Sequence, residues 1–110
     1  MSFPVEERHD CSVVMLSGEI DLNNSPEARK VILNSLKKMR NVMVDLSRVQ
    51  YIDSSGVASL VEGFQYARSH DLEFGLVGVS ESAMSVLRLA RLDQVFRIFS
   101  SLEERETDGA

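Results

Sequence analysis

With 110 residues, 44% hydrophobic and 26% charged, the chain has room for one core and the composition of an ordinary globular domain, which excludes a disordered or fibrous protein. Acidic side chains outnumber basic ones 17 to 12 for a net charge of −5; Glu103, Glu104, Arg105, Glu106 and Asp108 carry −3 of it, and the nearly neutral body offers no basic stripe to nucleic acid. The lone Cys11 rules out an internal disulfide and no apolar run approaches the ~20 residues that span a bilayer, so a cytoplasmic protein, neither exported nor inserted in a membrane, is expected.

In chain order, FPVEERHDCSVVMLSGEID reads as two strands turning near His9 and Asp10, a hairpin whose second member has a strongly apolar middle. NNSPEARKVILNSLKKMR follows with helix-start signals: Ser25 as N-cap, Pro26 at the first helical position and Glu27 in the first turn. Its apolar residues Ala28, Val31, Ile32, Leu36 and Met39 then repeat on one face, and Lys37, Lys38 and Arg40 suit the negative end of the helix dipole.

NVMVDL is short, apolar and β-branched, as expected of a strand covered on both faces of a parallel sheet, and SRVQYID leads from it into a second helix. Between Ser55 and Ser69, Val57, Leu60, Val61, Phe64 and Ala67 share a face. LEFGLVGV is the next strand. Ser80 with Glu81 caps a third helix with Ala83, Met84, Leu87 and Ala90 inward, and LDQVFRIFSS closes the core as either a short strand or a short helix. Strands alternating with helices after the first hairpin predict an α/β fold with a mostly parallel sheet. One domain is expected over residues 1–102, with 103–110 a flexible, solvated acidic tail.

The segment YIDSSG then falls where a strand hands over to a helix. In a parallel sheet such turns gather on the edge formed by the strands' C-terminal ends, where ligand and partner sites collect. If the second and third strands are neighbours, GEID with Asp21 lies beside Asp53, Ser54 and Ser55. One reading makes Asp53 or Ser54 a plain helix cap, a contribution of about 1 kcal/mol. That leaves unexplained the redundancy of Asp, Ser, Ser and the presence of Gly56, a helix former about 1 kcal/mol poorer than Ala, which opens the backbone to close approach.

A nucleophile reading fails on distance. His70 follows a helix of about 15 residues and lies ~20 Å from Ser54 at 1.5 Å per residue, His9 begins the strand that ends near Gly18, and the G-x-S-x-G elbow is missing. Two separated histidines and one cysteine make no metal site, and no phosphate-cradling glycine loop is present. A phosphate on a serine here suits the helix N-terminus, adding −1.5 to −2 charge at roughly neutral pH. Its cost falls on whatever docks against an edge already acidic through Glu19, Asp21 and Asp53, which predicts a binding switch and not an unfolding switch.

Together, LSGEIDLNNSPEAR, VMVDLSRVQYIDSSGVASL and LVGVSESAMSVLRLARLDQVFRIF resemble the STAS domains of bacterial anti-anti-sigma factors over nearly the whole chain. The resemblance implies a four- to five-stranded sheet flanked by helices, no enzymatic activity and no cofactor. It implies an unphosphorylated form that binds an anti-sigma factor that is also a serine kinase, and so releases the sigma factor. Ser54 matches the serine that this kinase phosphorylates, with Ser55 the alternative acceptor, and a metal-dependent serine phosphatase reverses the reaction. Asp21 and Asp53 match acidic positions beside that serine; Ser55, Gly56 and Val57 complete the docking surface. In many relatives the turn after the third helix contains Gly, where this chain has Leu89, Ala90, Arg91 and Leu92. The alternative role is a STAS accessory subunit of an ABC-type membrane transporter; a small hydrolase is the third possibility, disfavoured by the histidine distances.

Overall fold

The computed structural model describes residues 3–108. Five strands form one sheet in the sequential order β1 to β5: Val5–Glu7, Cys11–Ile20, Asn41–Ile52, Phe74–Val77 and Arg97–Phe99. The first pair is antiparallel, the expected hairpin, and every later pair is parallel. Helices α1 (Ser25–Lys37), α2 (Ser54–Ser69) and α3 (Glu81–Leu89) form the connections, and α4 (Leu102–Asp108) ends the described chain. The closing segment LDQVFRIFSS resolves into a 3₁₀ turn over Leu92–Gln94 followed by β5.

Because strand side chains alternate between faces, each central strand divides its residues between two cores. Val14, Leu16, Val42, Val44, Leu46, Phe74 and Leu76 point to the face where Ala28, Ile32, Leu36, Leu60 and Leu87 of the helices cover them. Cys11, Val13, Met43, Val77 and Phe99 point the other way and form a smaller apolar layer. The doubly apolar strands read from the sequence are thus covered on both sides, as parallel strands require.

Local departures from the expected elements have local causes. Asn24, not Ser25, precedes α1, and Ser25 is buried one position further in. Strand β3 does not stop at NVMVDL but runs on through SRVQYI, because β2 continues beside it to the pair Ile20↔Ile52. Two irregularities in that ladder flank Gly18, whose φ of +76° is open to glycine at no steric cost. In α2 the fully buried positions include Gly56, Ser59 and Gly63, while Val57, Val61 and Phe64 of the apolar repeat are only partly buried, so the inward face is centred on the small residues. Ala90 lies on the exposed side of the turn after α3, where Arg91 adopts the left-handed conformation (φ 61°) that glycine would take without strain.

Arg40 does not serve the end of α1. Its guanidinium donates to the carbonyls of Arg8 (2.6 Å) and Cys11 (2.8 Å) and pairs with Glu7, so it pins the hairpin turn. The acidic stretch expected as a solvated tail is helical from Leu102 to Asp108. Its Arg105 is only 7% exposed and pairs with Asp10 at 3.0 Å and Glu73 at 2.7 Å, partners too distant in sequence for a composition reading to supply.

Candidate functional site

The edge at the C-terminal ends of β2 and β3 is assembled by their ladder. Glu19 pairs with Tyr51 and Ile20 with Ile52, and the Asp53 N–H donates to the Ile20 carbonyl at 3.1 Å as the last rung. The two loops leaving this edge therefore start side by side, bringing Asp21 and Asp53–Ser55 together as expected.

Asp53 caps α2. Its Oδ1 accepts the backbone N–H groups of Ser55 (2.9 Å) and Gly56 (3.2 Å) and the Ser55 hydroxyl (2.6 Å). These donors, the Ser55 hydroxyl foremost, hold the Asp53 carboxyl below the usual carboxylate range. The cap reading of Asp53 is thus correct, and it divides the two serines. Ser55 is half-buried with its hydroxyl committed to Asp53, whereas Ser54, the first residue of α2, is exposed and, among the described residues, its hydroxyl has no hydrogen-bond partner.

Asp21 stands at the start of the facing loop, where its Oδ1 accepts the Asn23 N–H at 2.9 Å and its carbonyl accepts from Asn24 and Ser25. Glu19 on β2 is exposed. The edge thus carries three carboxylates, Glu19, Asp21 and Asp53, and the Ser54 hydroxyl, with no described cation bonded to any of the three. Gly56 and Val57 form the underside of this surface. Gly56 is buried, and a Cβ there would lie 2.6 Å from Ile52 Cγ1 and 2.8 Å from Ile20 Cγ2, so the glycine lets α2 settle against the strand ends. Val57 is half-buried against the main core.

Three supporting residues escape the sequence reading. Asn24 ties the Asp21 loop, accepting the Asp21 N–H at 2.8 Å and donating to the Glu19 carbonyl at 2.6 Å. Ser59, outside the apolar repeat of α2, is nonetheless buried and donates to the carbonyls of Ser25 and Ser55, both at 3.2 Å, stapling the starts of α1 and α2. Arg29 and Glu62 join the same two helices one turn further down at 2.6 Å. An Asn ahead of Ser-Pro was a visible signal for the first; a serine at a core-facing helical position gives none. Two large apolar side chains are also open on this edge, Leu22 at 76% and Tyr51 at 50% exposure.

Neither histidine approaches Ser54. His70 closes the far end of α2, with Nδ1 2.9 Å from the Tyr66 carbonyl, and His9 lies in the β1–β2 turn at the opposite edge of the sheet. Among the described residues no cluster of three or more His, Cys, Asp or Glu side chains could hold a metal ion.

The STAS domain model matches residues 2–105. The chain belongs to the STAS family. Among STAS relatives, the anti-sigma-B factor antagonist of Listeria monocytogenes is 26% identical over 99% of this chain and 92% of its own. The crystal structure of an anti-sigma factor antagonist from Mycobacterium paratuberculosis shares the STAS fold with a TM-score of 0.84 at 26% identity, covering 97% of this chain and 92% of that one. The Bacillus protein SpoIIAA, at 19% identity, has the same fold in its unphosphorylated form (TM-score 0.81, 99% and 98% covered) and in its phosphorylated form (0.76, 99% and 100%).

Proposed function

We propose that this STAS domain is an anti-sigma factor antagonist switched by phosphorylation of Ser54. Unphosphorylated, it binds an anti-sigma factor that is also a serine kinase and so releases the sigma factor. Phosphorylated, it lets the kinase go, and a metal-dependent serine phosphatase returns it to the binding form. The cytoplasm, where kinase and nucleotide meet, is the compartment this requires; no helix among the described residues is long and apolar enough to cross a membrane.

The observation that carries the reading is the contrast between the two serines. A kinase needs a hydroxyl that can enter its site: Ser54 is exposed and unpaired, while the Ser55 hydroxyl would first have to leave the Asp53 carboxylate. Transfer forms the Ser54 Oγ–P bond as the terminal P–O bond of a nucleoside triphosphate breaks, with the hydroxyl proton released and the nucleoside diphosphate leaving. Hydrolysis by the phosphatase returns the hydroxyl and inorganic phosphate. The product dianion sits at the positive end of the α2 dipole, so the helix tolerates it even though Asp53 already takes the N–H groups of Ser55 and Gly56. Its repulsion is directed outward, at a partner already facing Glu19, Asp21 and Asp53.

The test is intact-mass spectrometry with site mapping on protein isolated from its own cells under phosphatase inhibition, paired with partner capture by wild type and Ser54→Asp. Phosphate on Ser54 is expected, and Ser54→Asp should lower affinity for the captured kinase at least about 30-fold. No phosphate on Ser54 or Ser55 under several growth conditions would overturn the switch and favour a constitutive binding module such as a transporter subunit.

A further inference from the structure

The helices α1, α2 and α3 all serve one face of the sheet; the opposite face, with Cys11, Val13, Met43, Val77 and Phe99, is contacted by α4 alone among the helices. Yet α4 holds on by little. Among its described side chains Leu102 is the one apolar contact with that layer and Arg105 the one buried; Glu103, Glu104, Glu106 and Thr107 are exposed. Seven residues are too few for a helix to stand by itself in water. The bonds at its start, from Ser100 to the Glu104 carboxylate and from the Glu104 N–H to the Ser101 hydroxyl, are local and move with it.

The long-range attachment is therefore Arg105. Its guanidinium reaches Asp10 Oδ1 at 3.0 Å, Glu73 Oε1 at 2.7 Å and the Cys11 sulfur at 3.6 Å. The acceptors it would leave are not stranded by its departure. The Asp10 side chain is 53% exposed and can hydrate, and Glu73 keeps the Arg97 guanidinium 3.4 Å from its other oxygen. His9 and Glu106 complete the open cleft around them. The main core shares no residue with the layer beneath α4. A weakly self-stable element, one clamp among its described side chains and acceptors that survive its loss are the properties of a unit that opens by itself.

We propose that α4 is a releasable strap latched by Arg105, which opens as a unit while the rest of the fold stays closed, and in opening bares Cys11 and the apolar sheet face around it. The device lies at the edge remote from Ser54 and does not depend on the phosphorylation reading.

Cys11 is the only cysteine and 1% exposed, so its labelling by a chromogenic disulfide reagent, on the full chain under native conditions, reports the opening. Wild-type labelling should be slow, nearly independent of denaturant well below the unfolding transition, and several-fold faster at about 1 M than at about 0.05 M NaCl, since salt screens the separated charges. Arg105→Gln should accelerate it at least tenfold while the circular-dichroism melt stays cooperative; Leu102→Ala gives the same readout should Arg105→Gln not fold. Leu60→Ala, on the core-facing side of α2, should lower global stability and leave labelling under native conditions unchanged. Labelling that rises with denaturant in step with global unfolding would overturn the strap. So would equal acceleration by Leu60→Ala, or none by Arg105→Gln and Leu102→Ala.

Discussion

The two edges of the sheet use the same chemistry to opposite ends. At the C-terminal edge the carboxylates of Asp21 and Asp53 accept bonds only from residues two or three positions away, which shape their own loops and leave the outward surface uncommitted. At the N-terminal edge Asp10 and Glu73 hold a guanidinium 95 and 32 residues distant, which joins chain segments and turns that buried cation inward to the fold. Short-range bonds build a presentable surface, and long-range bonds close a fold.

The largest effect that would sharpen this contrast lies beneath the presenting edge. Gly56→Ala places a methyl against Ile20 and Ile52, side chains too buried to yield, and should cost about 2 to 3 kcal/mol in denaturant unfolding despite the better helix propensity of alanine. A cost near zero would mean that α2 can ride outward and that the edge is not rigid. Next comes Arg105→Ala at the closing edge, expected to cost about 1 to 2 kcal/mol, bounded above by the free energy of keeping α4 closed.

Asp53→Ala should lower the melting midpoint by about 5 °C through loss of the cap. The sign of its pH dependence follows from the lowered carboxyl. The folded state binds that proton more weakly than the unfolded chain, so the contribution is complete above the ordinary carboxylate range and fades as pH falls through the lowered value. Wild type should therefore lose more stability than Asp53→Asn on acidification below about pH 4, measured by melts across that range. The smallest effect is Ser54→Ala, expected within about 0.5 kcal/mol of wild type because its hydroxyl bonds to nothing described. A marked loss there would make Ser54 a structural residue and erase the difference between the edges.

The contrast also explains what could be read from the sequence. The presenting edge is local, so Asp53, Ser54 and Ser55 announced themselves through capping grammar, and the strand–helix alternation placed Asp21 beside them. The parallel sheet and three helices were legible for the same reason, each carrying its own periodicity. Residues 102–108 were not, because a run of Glu around one Arg has the composition of a solvated end until Asp10 and Glu73 are brought to it. Nor was the second half of β3, whose SRVQYI has no clean alternation and owes its conformation to the ladder with β2. Ser59 escaped because a hydroxyl's burial is decided by the carbonyl of Ser25 on another helix.

The bond from the Asp53 N–H to the Ile20 carbonyl makes one residue both the last rung of the sheet and the cap of α2. Ser54 is consequently held at a fixed height and angle before any partner arrives. A protein that meets this edge has no loop to order and no helix to nucleate, so little of the binding free energy is spent on freezing motion. Under the function proposed above, docking is the meeting of two preformed shapes, its speed set by diffusion and orientation and its lifetime shortened by the phosphate on Ser54.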